Sequence, residues 1–181
     1  MPLKDLYASH AGSTKIRLRS GSEDLVATKL LHNGSVHFIT AKTKGGVIRD
    51  IADIAGESGY IYDPADYYKA LVEREEAAST ALPGGIAFLH AGRHDPYHAS
   101  ESFIIVCKTA SPVFFGAPDD EPTDIFFLLC CTDGEEHLHA LGRLAVLAAT
   151  PGFIEEIRAA QTPAEITSAL EKCECAYLNR K

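Results

Sequence analysis

The segment 74–91 holds the residues of this chain whose types and spacing best suit chemistry. It begins with the polar end of a helix, turns at two glycines, and continues as the apolar run Ile86–Leu89 before His90. Functional sites of α/β folds concentrate at strand ends, and a neutral histidine carries an unprotonated ring nitrogen that can act as a nucleophile. His90 is therefore a candidate nucleophile. The alternative, which the spacing alone favours, is a histidine that only caps the strand through a hydrogen bond.

Two more histidines, His94 and His98, follow His90 at intervals of four residues. On a helix this spacing would place three imidazoles on one face and suggest zinc. The polar run 92–95 and Pro96 favour a loop instead. A zinc-binding protein is therefore kept only as a minor alternative, and the sequence predicts no metal site.

Helices before this segment are predicted to position it. Apolar residues at helical spacing between Val47 and Ala55 indicate one helix, which Gly56 can end. A second helix is predicted to begin at Asp63-Pro64, an N-cap followed by proline at the first helical position. Its buried face consists of Tyr67, Tyr68, Leu71 and Val72.

Strands and further helices come after the segment. Three short apolar runs, residues 86–89, 102–108 and 125–131, predict strands buried on both faces. Three closing helices are predicted to begin at Thr132-Asp133-Gly134, at Thr150-Pro151 and at Thr162-Pro163, the last with a capping box to Glu165. The first of them should bury Leu138, Leu141, Ala145 and Ala148. Helices around buried strands predict an α/β sandwich with helices on both sheet faces.

Composition limits the function classes. The 181 residues fit one domain and carry a net charge of −8, which argues against binding nucleic acid or an anionic membrane and suits a partner with a basic face. No apolar run is long enough for a membrane span, and the N-terminus lacks the apolar core of an export signal. Five cysteines in a core-sized chain indicate free thiols and a reducing cytoplasm.

Four groups of residues, in order along the chain, resemble one family. Arg74-Glu75, Ser79-Thr80 and Gly85-Ile86-Ala87-x-x-His90-Ala91 resemble the active-site signature of type-2 IIA domains of the bacterial phosphotransferase system, the fructose, mannitol and nitrogen-related group. Further similar segments are residues 112–129, Glu136–Leu141 and 157–166. His137-Leu138-His139 is similar to the helix start of the nitrogen-related branch. The resemblance extends over roughly residues 25–172.

This resemblance implies a three-layer α/β sandwich around a mixed sheet of about five strands. It implies that His90 accepts a phosphoryl group from a phosphorylated HPr-type phosphocarrier protein and passes it to a IIB partner. The alternative is a phosphorylation-gated regulatory binding module with no onward transfer. Because the group arrives covalently, no cofactor is implied.

The resemblance also implies the other site residues. His137 corresponds to a second family histidine beside the acceptor; its simpler role is an exposed helix-start residue. Arg74 corresponds to an arginine that accompanies the transferred charge, and otherwise would form a surface ion pair with Glu73 or Glu76. Thr80 either donates a hydroxyl hydrogen bond or only holds the turn.

Two positions depart from the family pattern. Leu89 occupies the place of a proline before the histidine, and Pro83 stands where a small residue is usual. Because that strand ends at the next residue, the sequence favours tolerance of Leu89→Pro. The predicted boundaries are an N-terminal extension over residues 1–24, a domain over 25–175 and a C-terminal tail over 176–181.

Overall fold

The computed structural model describes residues 25–92 and 98–179, which form six helices and five strands. The predicted N-terminal extension lies outside the described residues. The elements run in the order α1 (Val26–Leu30), β1 (Val36–Ile39), α2 (Lys44–Glu57), α3 (Pro64–Ala77), β2 (Ala81–Leu82), β3 (Ile86–Leu89), β4 (Phe103–Val113), β5 (Thr123–Cys130), α4 (Gly134–Ala148), α5 (Phe153–Ala159) and α6 (Pro163–Leu178). Helix α6 thus continues past residue 175, where the sequence placed the end of the domain.

The five strands form one mixed sheet in the order β1-β4-β5-β3-β2. The pairs β1–β4 and β3–β5 are parallel, whereas β4–β5 and β2–β3 are antiparallel. Strand β3 therefore lies between the short edge strand β2 and the fully buried β5. The mixed five-stranded sheet expected from the family resemblance is confirmed.

The sheet is covered on both faces because its side chains alternate between two apolar clusters. Along β3, Ile86 and Phe88 pack with residues of α1, α4, α5 and α6. Ala87 and Leu89 pack with residues of α2 and α3 on the other face. The three-layer sandwich is therefore confirmed, and β3 is held by apolar contacts on both sides up to the residue before His90.

Local capping signals located most helix starts. The carboxylate of Asp63 accepts hydrogen bonds from the first-turn N–H groups of α3, and Asp133 and Thr162 cap α4 and α6 in the same way. The predicted start at Thr150-Pro151 is wrong. Those residues form a turn, and α5 begins only after Gly152, whose φ of +86° lies in the left-handed region that favours glycine.

The predicted buried face of α4 is offset from the observed one. Leu138 is 69% exposed, and the fully buried positions are Ala140, Leu144 and Leu147. Leu141, Ala145 and Ala148 are only partly buried at the edge of the same cluster. Helical spacing alone did not distinguish the two registers because Leu144 and Leu147 follow the same period as the predicted set. The offset leaves an apolar side chain exposed next to His137.

None of the five cysteines, all within the described residues, forms a disulfide, and three of them lie in the core. Burial raises the pKa of the Cys107 and Cys131 thiols to about 12 and that of Cys130 to about 11. These three residues therefore behave as small apolar side chains, as predicted. Across residues 25–92 and 98–179 we find no helix both long and apolar enough to cross a membrane.

The sequence favoured tolerance of Leu89→Pro, but the register of β3 indicates that this substitution destabilises the sheet. The N–H of Phe88 donates to the Thr80 carbonyl on the β2 side, so alternation directs the Leu89 N–H toward β5, where Leu89 is paired with Leu128. Proline would remove this ladder bond. We expect Leu89→Pro to lower the free energy of unfolding by about 1–2 kcal/mol, measured by urea denaturation.

The matched control is Leu89→Ile, which keeps the N–H and the volume and should cost less than about 1.5 kcal/mol. Equal stability of Leu89→Pro and the wild-type protein would show that the Leu89 N–H contributes nothing to the sheet.

Candidate functional site

His90 stands at the carboxyl end of β3, and its hydrogen bonds define its tautomer. Its Nδ1 lies 2.9 Å from the Phe88 carbonyl oxygen, and its Nε2 lies 3.2 Å from Nε of Arg74. A carbonyl only accepts and a guanidinium only donates, so the proton sits on Nδ1 and the lone pair on Nε2. The half-buried imidazole of His90 therefore directs the unprotonated Nε2, the nitrogen that could act as a nucleophile, toward Arg74.

The surroundings of His90 disfavour its protonated form. Burial lowers the pKa of the imidazole below its ordinary value, and the positive charge of Arg74 and the neighbouring His137 lower it further. The Phe88 carbonyl and the Glu75 carboxylate act in the opposite direction without reversing the shift. At neutral pH the ring is accordingly neutral, as a nitrogen nucleophile must be.

His137 and His90 lie close together although 46 residues separate them along the chain. Their ring centroids are 5.2 Å apart and the rings are inclined at 56°. Helix α4 brings His137 there in its first turn, because the Asp133 N-cap starts the helix directly after β5. The next residue, Leu138, and His139 are exposed. His139 lines a different depression with residues of α1 and does not join this site.

The Arg74 guanidinium is oriented toward the site from the last turn of α3. Its Nη1 donates to the Ala78 carbonyl at 2.8 Å while Nε donates to His90. Neither Glu73 nor Glu76 forms an ion pair with it in the described part of the chain. Gly92 packs against the stem, where an added Cβ would come within 3.3 Å of the Arg74 Cδ. The arginine is thus held in place beside His90, and within residues 25–92 and 98–179 no carboxylate forms an ion pair with it.

Thr80 lies on the turn between α3 and β2, and its hydroxyl donates its hydrogen bond to Glu75 and not to His90. The hydroxyl donates to the Glu75 carboxylate at 2.6 Å, and the Thr80 N–H donates to the same group. The contacts therefore favour the second of the two predicted roles, in which Thr80 holds the turn. The inner site consists of His90, Arg74 and His137. Thr80 does not belong to it and only holds the turn that precedes β2.

Sequence reasoning missed Glu75 and its partner Lys44, which lies 2.7 Å from the Glu75 carboxylate. A signal for Glu75 was present. Tyr67, Leu71 and Glu75 are spaced four residues apart, so a carboxylate continues the buried stripe of α3. A carboxylate in such a stripe needs a partner that carries a positive charge or donates hydrogen bonds. Nothing in the local sequence identified Lys44 as that partner, because it comes from α2.

The beginning of β3 is fixed by a second ion pair. Arg158 donates from Nε and Nη2 to the two Asp124 carboxylate oxygens at 2.7 and 2.8 Å, and Nη2 also donates to the Gly84 carbonyl. Gly85 has a φ of +82°, and a Cβ there would lie 2.7 Å from the Arg158 Nη2. The strand is therefore anchored at its start by α5 and β5, and at its end by the hydrogen bonds of His90.

The zinc alternative involved His90, His94 and His98, of which His94 lies outside the described residues. The ring of His98 packs at 5.4 Å from that of Tyr67, and its Nε2 lies 3.7 Å from Asp66. Residues 25–92 and 98–179 contain no group of three His, Cys, Asp or Glu side chains arranged to hold a metal ion.

Comparison with known proteins identifies the family of the chain. Residues 29–173 match the family model described as "Phosphoenolpyruvate-dependent sugar phosphotransferase system, EIIA 2". The chain is 29% identical over 146 residues to the fructose-specific EIIABC component of Bacillus subtilis, covering 79% of this chain but only 22% of that relative. It is 30% identical over 125 residues to the nitrogen regulatory protein of Pseudomonas aeruginosa, covering 66% of this chain and 77% of the relative.

Solved structures agree in fold. The nitrogen regulatory protein IIA-Ntr from Neisseria meningitidis superposes with a TM-score of 0.70 at 23% identity, over 79% of this chain and 97% of that one. The mannitol IIA protein of Escherichia coli, in its complex with phosphorylated IIB, superposes with a TM-score of 0.68 at 21% identity, over 78% and 97%. The family model covers most of the chain, and the chain therefore belongs to the EIIA 2 family of the phosphoenolpyruvate-dependent sugar phosphotransferase system.

Proposed function

We propose that this protein is a phosphoryl carrier that accepts a phosphoryl group on Nε2 of His90 from a phosphorylated HPr-type protein. The observation that carries the proposal is the state of Nε2. It is unprotonated, because Nδ1 donates to the Phe88 carbonyl, and it faces the cationic Arg74 side chain. Membership of a phosphotransferase family supports the same chemistry.

The transfer needs little from the protein beyond positioning and charge. The Nε2 lone pair attacks phosphorus while the P–N bond to the donor histidine breaks, and that bond's electron pair returns to the donor ring. The nucleophile loses no proton, because its only proton sits on Nδ1. The hydrogen bond to the Phe88 carbonyl then stabilises the positive charge that develops on the imidazole ring.

Arg74 and His137 are the residues proposed to meet the charge on the phosphoryl group. Arg74 Nε occupies the position in front of Nε2, so it must move aside and can then bind a phosphoryl oxygen. His137 approaches from the first turn of α4, where the helix N-terminus favours an anion. Thr80 acts indirectly by holding the turn behind the site.

Incubation with a phosphorylated HPr-type donor tests the proposal directly. We expect one acid-labile phosphate, located at His90 by peptide mass spectrometry, and attachment at Nε2 by NMR of the imidazole nitrogens. No phosphate on His90 at a donor excess that labels a known IIA protein would overturn the proposal.

Onward transfer to a IIB partner is the first candidate for the fate of the phosphoryl group on His90. The mannitol IIA protein forms a complex with phosphorylated IIB, and the same fold here presents the exposed Leu138 beside His137. The second candidate is a regulatory module without onward transfer, which the similarity to nitrogen regulatory proteins favours. Loss of phosphate from His90 on adding a IIB protein, with phosphate gained by its cysteine, would separate the first from the second.

The proposal also covers the cofactor requirement, the cellular compartment and the charge of the donor. Because the phosphoryl group arrives covalently, no bound cofactor is required. Five cysteines without a disulfide suit a reducing cytoplasm. The net charge of −8 suits a donor with a basic face and not nucleic acid or direct membrane insertion. The proposed carrier unit is the domain predicted over residues 25–175, together with the end of α6, which extends to Leu178.

His137→Ala should slow phosphorylation of His90 by roughly ten- to a hundredfold, since it removes one of two groups placed to meet the transferred charge. The side chain is half-buried, so the thermal midpoint should change little. Initial rates of labelling by the phosphorylated donor measure the effect.

The matched control is His139→Ala, which removes an exposed histidine from the same helix without altering the site. Equal labelling rates for the two variants would reduce His137 to a helix-start residue.

A further inference from the structure

Glu75 adjoins Arg74 in the sequence but is not its charge partner. The Glu75 side chain is 3% exposed and faces the interior. Its carboxylate accepts hydrogen bonds from the N–H and hydroxyl of Thr80 and lies 2.7 Å from Nζ of Lys44. A buried carboxylate with a lysine partner next to a nucleophilic histidine has no role in the transfer step described above.

Lys44 links the Glu75 carboxylate to the segment after β4 that contains Phe115. It stands at the first position of α2 and is 38% exposed. Its Nζ donates to the Phe115 carbonyl at 2.9 Å and lies 4.8 Å from the centre of the Phe115 ring. The same carbonyl accepts the Ser79 hydroxyl at 3.0 Å. Lys44 therefore connects α2, the end of α3 and the segment after β4 at one point behind the site.

A short series of hydrogen bonds runs from this point to His90. Glu75 accepts from Thr80, the Thr80 carbonyl accepts the Phe88 N–H at 3.1 Å, and the Phe88 carbonyl accepts Nδ1–H of His90. Each bond fixes the backbone group that makes the next one. The orientation of the imidazole is thus tied to the position of the Glu75 carboxylate.

The negative charge of Glu75 also affects the pKa of His90. Among the described groups that act on the imidazole, Arg74 and His137 disfavour its protonation, whereas Glu75 favours it. A carboxylate without Lys44 would act more strongly, because no opposite charge would compensate it in a poorly solvated place. It would also attract the neighbouring Arg74 guanidinium away from His90.

We propose that Lys44 is a positioning residue of the acceptor site, because it compensates the charge of the Glu75 carboxylate and keeps that carboxylate bonded to the Thr80 turn. As a result, His90 stays unprotonated and the charge of Arg74 remains available to the phosphoryl group. The inference rests on the proposed function of His90. It assigns Lys44 no contact with the transferred group.

The test compares Lys44→Met with Lys42→Met, which removes the same charge from an exposed lysine two residues earlier. NMR titration of the His90 imidazole in the unphosphorylated protein is the first readout, and the rate of labelling by a phosphorylated HPr-type donor at pH 7 is the second. We expect Lys44→Met to move the His90 midpoint to higher pH and to slow labelling several-fold. Lys42→Met should match the wild-type protein in the His90 midpoint and in the labelling rate. Lys44→Arg, which keeps the positive charge, should label at most of the wild-type rate.

A second pair of variants keeps the test decisive if Lys44→Met does not fold. Glu75→Gln leaves Lys44 uncompensated and should move the His90 midpoint to lower pH. Adding Lys44→Met to Glu75→Gln removes both charges and should return the midpoint toward the wild-type value. A midpoint that stays at the wild-type value in Lys44→Met, or in Glu75→Gln if Lys44→Met does not fold, overturns the inference. Absence of phosphate on wild-type His90 instead overturns the proposed function, and the titrations distinguish the two failures.

Discussion

Replacement of His90 by alanine is expected to abolish phosphorylation by an HPr-type donor. The substitution removes the only imidazole whose Nε2 is held unprotonated and faces Arg74 among the described residues. Positioning supplies most of the catalysis in such a transfer, so the neighbouring His137 should not replace His90 as the acceptor. We expect labelling to fall at least a thousandfold, measured as acid-labile phosphate after incubation with a phosphorylated donor.

The control for this experiment is His139→Ala, which should label like the wild-type protein. A thermal melt must accompany both variants, because the half-buried His90 ring also bonds the Phe88 carbonyl. Folded His90→Ala protein that still becomes labelled would show that another residue accepts the phosphoryl group.

Replacement of Glu174 by alanine is expected to cause the largest loss of stability. The Glu174 carboxylate on α6 is fully buried and accepts from the N–H groups of Ala27 and Thr28, from the Thr28 hydroxyl and from Arg143 at 2.8 Å. It thereby satisfies first-turn donors of α1 and compensates an arginine whose side chain is only 12% exposed. Removing it leaves these donors and that charge unpaired in the interior.

Breaking a buried pair from one side costs about 3–5 kcal/mol. In a domain of this size that corresponds to a fall in thermal midpoint of roughly 6–20 °C, measured by circular dichroism. The control is Glu156→Ala, which breaks the exposed pair with Lys172 on neighbouring helices and should cost less than about 1 kcal/mol. Similar midpoints for the two variants would show that Glu174 does not anchor α1.

Much of the fold was predictable because its signals are local. Caps such as Asp63 and Asp133 determine where helices begin through bonds to residues two or three positions away. The run Ile86–Leu89 indicates a strand buried on both faces, and it is one. Three short elements without such a continuous apolar run of four residues escaped prediction. Helix α1 and strands β1 and β2 have two to five residues each, too few for a periodic pattern.

The sequence by itself determined that a histidine follows a buried strand in this chain and that its neighbours match a phosphotransferase signature. Only the tertiary structure decided the tautomer, the burial and the neighbours of that histidine. The hydrogen-bond partner of Nδ1, the 5.2 Å approach of His137 and the pairing of Glu75 with Lys44 all depend on how the chain folds around His90. Local pattern limits which side chains can be buried, but burial and charge at His90 depend on which elements pack around it. The pKa and the tautomer of His90 are set by that packing, because desolvation and hydrogen-bond direction arise only when the three layers of the sandwich have come together.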